Sequence, residues 1–171
     1  VDVDGNWRFT TDTLLEGEHS FTATAIDLAG NSTTTAALDA TIDITAPTVA
    51  ISGPISDGYI NAVEDDSALS VLGTTTGVED GQFVTVNVGG KDYSVEVTGN
   101  AFTVVVPSSD LQLLSEGPVN ITADVSDAAG NPAVQATASF GYDTIAPIVT
   151  LDGMSEDTGL NTTDLLTYDQ E

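Results

Sequence analysis

Apolar and polar side chains alternate with a period of two along most of this chain. Val84, Val86 and Val88 are separated by Thr85 and Asn87, and Tyr93, Val95 and Val97 by Ser94 and Glu96. Phe102, Val104 and Val106 follow, then Val119, Ile121, Ala123 and Val125, and finally Val134, Ala136, Ala138, Phe140 and Tyr142. A two-residue period turns one face to a core and the other to water, so each run predicts a half-buried strand rather than a helix. With 49–51 and 69–72 added, the pattern predicts about seven short strands, separated by the turn signals Gly89-Gly90, Gly99-Asn100 and Gly130-Asn131. About seven such strands within about 100 residues suit an all-β, immunoglobulin-like β-sandwich. The antibody hallmarks are absent: the chain has no cysteine, and its one tryptophan, Trp7, lies outside this stretch.

The pattern also repeats. Leu15-Glu16-Gly17, Phe21-Thr22-Ala23, Ile26-Asp27-Leu28-Ala29-Gly30-Asn31 and Asp43-Ile44-Thr45-Ala46-Pro47 have counterparts in Ser115-Glu116-Gly117, Ile121-Thr122-Ala123, Ser126-Asp127-Ala128-Ala129-Gly130-Asn131 and Asp143-Thr144-Ile145-Ala146-Pro147, each 100 residues later. The register continues past the proline, where Asp57, Ile60, Asn61 and Glu64 match Asp157, Leu160, Asn161 and Asp164. Upstream, Gly5-Asn6 matches Gly99-Asn100 at an offset of 94, so the later copy carries six extra residues. They fall within 107–114, where a helical turn capped by Ser108 or Ser109 is expected. The chain therefore divides into residues 1–46, the back of one repeat; 47–146, a complete repeat; and 147–171, the opening of a third. Proline at each boundary stiffens a short linker and ends a strand. Val1-Asp2-Val3-Asp4 already reads as the middle of a structure, as in an excerpt of a longer protein.

Charge narrows the function. Twenty-seven carboxylates face two basic side chains, Arg8 and Lys91, for a net charge of -25. Nucleic acid and anionic membrane would be repelled. Hard divalent cations such as calcium are the natural counterions of so many carboxylates. No apolar run has the length of a membrane span, so no direct membrane insertion is expected of this segment. With 40% hydrophobic residues in alternating runs, the acidity does not imply disorder.

Taken in fixed order, the Asp-x-Ala-Gly-Asn turn, the Asp-Thr-x-Ala-Pro boundary, the Asp-x-x-Ile-Asn-x-x-Glu opening and the Gly-Asn-x-Phe strand resemble the bacterial immunoglobulin-like repeats of giant, type I-secreted, biofilm-associated or RTX-type surface adhesins. The resemblance covers the whole chain. It implies an extracellular location at the bacterial cell surface, many tandem domains, and calcium (Ca2+) held near the joints between neighbouring repeats.

Sandwich topology says where such ions would sit. The first and last strands run from the N-terminal to the C-terminal pole of a repeat. The turn before the last strand, 127–131, then lies at the N-terminal pole. The loop 55–66 and the terminal Asp143 lie at the C-terminal pole. Each joint would gather carboxylates from the opening loop and terminal aspartate of one domain and the Asp-x-Ala-Gly-Asn turn of the next. Calcium takes roughly six to eight oxygens. The candidate ligands are Asp43 and Asp127 at the first joint, Asp57, Asn61, Glu64 and Asp143 at the second, and Asp27, Asp157 and Asp164 as their counterparts. The competing reading is that Asp and Asn in turns bond their own backbone.

Other motifs lead elsewhere. Asp2-Val3-Asp4-Gly5-Asn6 resembles the start of an EF-hand, but Trp7 and Thr13 stand where glycine and glutamate are required, so it reads as a hairpin turn. His19 reads as a polar strand end. No Ser-His-Asp set, zinc cluster or phosphate loop is present, and the chain is not expected to be an enzyme. An intramolecular isopeptide could involve only Lys91, which reads instead as a strand-exposed lysine. Three Asn-x-Ser/Thr triplets suit a threonine-rich β protein. The expected function is a mechanical spacer in a stalk that supports cell adhesion or biofilm formation. The alternatives are a module binding a glycan, protein or ice, or a fibre-forming surface subunit.

Overall fold

The computed structural model describes residues 5–52 and 57–151. Four short strands precede Pro47: β1 (Gly17–Phe21), β2 (Thr24–Ile26), β3 (Ser32–Thr34) and β4 (Leu38–Ile42). β1 pairs antiparallel with β4, while β2 and β3 form a hairpin around the Asp27 turn.

Eight strands follow: β5 (Thr48–Ser52), β6 (Tyr59–Ile60), β7 (Leu69–Thr76), β8 (Phe83–Val88), β9 (Lys91–Glu96), β10 (Ala101–Val106), β11 (Gly117–Asp124) and β12 (Ala136–Tyr142). They form two sheets, ordered β10-β7-β5 and β6-β12-β11-β8-β9. All pairings are antiparallel except β6 with β12. The alternating residues meet between the sheets: Val71 from one side and Val84, Val86 and Ile121 from the other are completely buried. This is a β-sandwich of immunoglobulin type.

Two close fits shape it. Gly73 in β7 lies under the Phe102 ring and against the Ala50 carbonyl, and a Cβ there would stand 2.0 Å and 2.6 Å from them. Gly99-Asn100 turns β9 into β10 with φ of 60° and 61°, the left-handed pair of a tight hairpin.

Three sequence expectations need correction. The helical turn exists as α1 (Ser108–Leu111), but neither serine side chain caps it; Pro107 is the N-cap residue, and its carbonyl accepts from Asp110 and Leu111. Val134 stands outside the last strand and is 87% exposed. The β11–β12 ladder stops at Ala123 opposite Ala136, so Val134 has no strand beside it. β6 was not expected at all, because two residues carry no periodicity.

The poles follow from the register. Thr48 pairs with Thr76, and Pro47 is buried with its Cα 3.6 Å from a Cβ built on Gly77, so the linker enters beside loop 77–82. At the opposite pole Ile60 pairs with Tyr142, and Val106 with Leu69. α1 packs there through the buried Leu111, and the Gln112 amide just beyond it donates to Asp66 at 3.0 Å.

Candidate functional site: the two poles and the joint

At the N-terminal pole the turn 127–131 is wound around Asp127. Its Oδ1 accepts from the Asn131 backbone N–H at 2.8 Å and its Oδ2 from the Asn131 side-chain amide at 2.9 Å. These bonds, that of the side-chain amide foremost, hold the Asp127 carboxyl below its ordinary value of 3.8. Asp27 is wound the same way by Asn31 and is lowered for the same reason. Asp127 is buried and Asp27 is exposed. Glu79 braces the later turn, accepting from the Ala128 N–H at 2.8 Å. On its other side the Asn131 amide reaches across the linker to the Asp43 carbonyl at 3.1 Å. Asp43 and Asp127 thus share one joint.

At the C-terminal pole Asp57 precedes β6, Asn61 and Glu64 follow it, and Asp143 follows β12, which pairs with β6. Asp57 accepts from the Tyr59 N–H at 3.1 Å. Asn61 accepts from the Val63 and Glu64 N–H groups while Glu64 accepts from the Asn61 N–H, a reciprocal capping box. The Asp143 N–H donates to the Ile60 carbonyl, and its carboxylate accepts from the Ile145 N–H. Asp157 and Asp164 lie outside the described residues, as does most of the Asp2–Asn6 hairpin. Every described candidate therefore accepts a hydrogen bond within its own turn, as the competing reading expects. Among the described residues no group of three or more His, Cys, Asp or Glu side chains is gathered as a metal cage. The donor set is all oxygen, which suits calcium.

Several residues outside the candidate ligand set matter here. Asp65 is 8% exposed and accepts from the Tyr142 hydroxyl at 2.7 Å. That bond, then burial, pushes the Tyr142 hydroxyl up to about 12. Glu16 accepts from the Thr45 hydroxyl, and Glu116 from Thr144, so each repeat's Glu-Gly motif pins the chain leaving it. The 100-residue register was the available signal for this pair. His19 lies mid-strand in β1, its Nε2 2.7 Å from the Leu15 carbonyl. Lys91 pairs with Asp110 at 2.6 Å, and Tyr93 donates to the same carboxylate. Lys91, then Tyr93, lowers the Asp110 pKa, and burial followed by that bond raises Tyr93 to about 12. An ammonium beside a carboxylate is the unreactive form of an isopeptide pair, since amide formation needs a free amine and a neutral acid. No helix among the described residues is long and apolar enough to cross a membrane.

The fold and its poles define the class, an immunoglobulin-like sandwich joined in series to a related segment. Residues 1–44 match the family model described as a bacterial Ig-like domain. A bacterial immunoglobulin-like domain of the M. primoryensis ice-binding adhesin is 33% identical over 59% of this chain and 99% of its own length, with a TM-score of 0.43. The chain belongs to the bacterial immunoglobulin-like domain family. A structure of a Ca2+-stabilised adhesin with which an Antarctic bacterium binds ice is 30% identical over 75% of this chain, with a TM-score of 0.44. A tetra-tandem repeat from the extending region of a large adhesion protein is 23% identical over 76%, with a TM-score of 0.51, a likeness of fold. The chain spans 32% of each of these last two structures. No curated protein matches.

Proposed function

We propose that this chain is a segment of the extracellular stalk of a large repetitive bacterial adhesin, a spacer that carries an adhesive element away from the cell. Its partners are neighbouring repeats of the same chain, divided as 1–46, 47–146 and 147–171. The observation that carries the reading is the joint: two copies of one motif set, 100 residues apart, meet where Asn131 reaches Asp43. The similar adhesin domains support it. Strong negative charge on successive domains favours an extended array.

Calcium at the joints would neutralise that charge locally and stiffen the stalk. Asp43 and Asp127 would contribute at the first joint, and Asp57, Asn61, Glu64 and Asp143 at the second. The all-oxygen donors and the Ca2+-stabilised relative support this. Small-angle scattering and melting of the chain in calcium and in chelator test the reading. Calcium is expected to narrow the distribution of shapes and raise the melting temperature; identical profiles and melting curves would remove calcium from it.

A further inference from the structure

We infer that Asn131 is a hydrogen-bonding clasp between consecutive repeats, and that the Asp-x-Ala-Gly-Asn turn is the docking element with which a repeat grips the one before it. The inference rests on the stalk reading and supplies the contact between its units.

A side-chain amide nitrogen carries two hydrogens and seeks two acceptors. Asn131 uses one on Asp127 Oδ2 within its own turn and the other on the Asp43 carbonyl of the preceding segment. Asn31, in the matching turn, makes the same in-turn bond to Asp27. The in-turn bond is thus common to both turns, and the bond to the Asp43 carbonyl is the one that spans the joint.

A bond to a loose linker would orient nothing, but this linker is held. Upstream, Thr45 gives its N–H to Asp43 Oδ1 and its hydroxyl to Glu16, which adjoins β1. Downstream, Pro47 is buried beside Gly77, in the loop whose Glu79 braces the Asp127 turn. The Asp43 carbonyl is thus fixed to one body and the Asn131 amide to the other, so their bond resists rotation between them.

The chemistry is specific to asparagine. Aspartate at this position would offer oxygens to the Asp127 carboxylate and the Asp43 carbonyl, with no hydrogen for either. It would also add an oxygen ligand for calcium, so the two roles of the turn respond to Asn131→Asp in opposite directions.

The test uses the full chain, which has no cysteine of its own. Nitroxides on Ser20→Cys and Thr103→Cys, both exposed, report the distance between the segments in excess chelator. A narrow distribution is expected for the parent, and Asn131→Ala and Asn131→Asp should each roughly double its width. A Gly-Ser-Gly insertion after Thr45 should broaden it as much, and Asn131→Ala should add nothing to the insertion. An unchanged width in Asn131→Ala overturns the clasp. Adding calcium to the parent tests the calcium reading separately, and its failure leaves the clasp standing.

Discussion

Replacing Tyr142 with phenylalanine should destabilise the sandwich by about 1.5–3 kcal/mol, the usual worth of a hydrogen bond to a charged partner. The hydroxyl is the only described donor to the Asp65 carboxylate, and both residues are buried. Phenylalanine keeps the ring and its packing, so the loss isolates the hydrogen bond and leaves a carboxyl group buried with no donor. For about 100 residues each kcal/mol lowers the melting temperature by roughly 4–8 °C. Far-UV circular dichroism during urea unfolding is the suitable assay, since Trp7 reports only on the first segment. The decisive measurement is the double-mutant cycle with Asp65→Asn. In the parent, Asp65→Asn should cost about half as much as Tyr142→Phe, because a neutral acceptor makes a weaker bond. In the Tyr142→Phe background it should be neutral or stabilising, because it removes a buried charge that has lost its partner. A Tyr142→Phe cost below about 0.5 kcal/mol, or additive effects, would refute the reasoning.

Other outcomes follow from the same contacts. Gly73→Ala should cost about 1–3 kcal/mol, since its Cβ meets a buried core ring and a carbonyl, whereas Gly141→Ala should cost far less because the Tyr59 ring over it is exposed and can swing away; paired urea titrations compare them. The Asp127 pKa is lowered on folding, so its contribution is complete above the ordinary 3.8 and is lost as pH falls through the lower folded value; side-chain carboxyl NMR titration should show Asn131→Ala moving Asp127 back toward 3.8. Tyr142 is raised on folding, so its contribution is complete below 10 and declines as pH rises towards 12; Tyr142→Phe should flatten that alkaline limb, leaving the part due to Tyr93. The intact mass should equal the sequence mass with no loss of water, because Lys91 and Asp110 form an ion pair rather than an amide.

The strands were legible where alternation met a full partner on both sides. Val84, Val86 and Ile121 were expected inward and are fully buried. Alternation misled at Val134, where it continues past the last rung of the β11–β12 ladder and faces water. The Gly99-Asn100 turn was visible because its left-handed backbone restricts the residue type. β6 was invisible, since its place depends on parallel pairing with Gly141 and Tyr142 across the fold. The same distinction separates the site residues. Asp57 acts in the turn before β6 and Asn61 with Glu64 in the turn after it, so each contact spans only two or three residues. Asp65 takes its partner from 77 positions away, and Asn131 takes one from 88 positions away, so neither role is written in local spacing.

The acidity of the chain bears on how the joint works. Asp27, Asp43, Asp57, Glu64, Asp127 and Asp143 each accept a backbone N–H, so these carboxylates shape the polar turns. A carboxylate that accepts one or two such bonds retains lone pairs for a cation. Turn shape and charge neutralisation are therefore separable. If calcium binds at the joint, removing it would restore repulsion between poles whose turns are already set, while removing Asp127 would unwind the turn that carries Asn131. The second change should loosen the joint more than the first. That order follows from the hydrogen bonds alone and would reverse if calcium itself wound the turn.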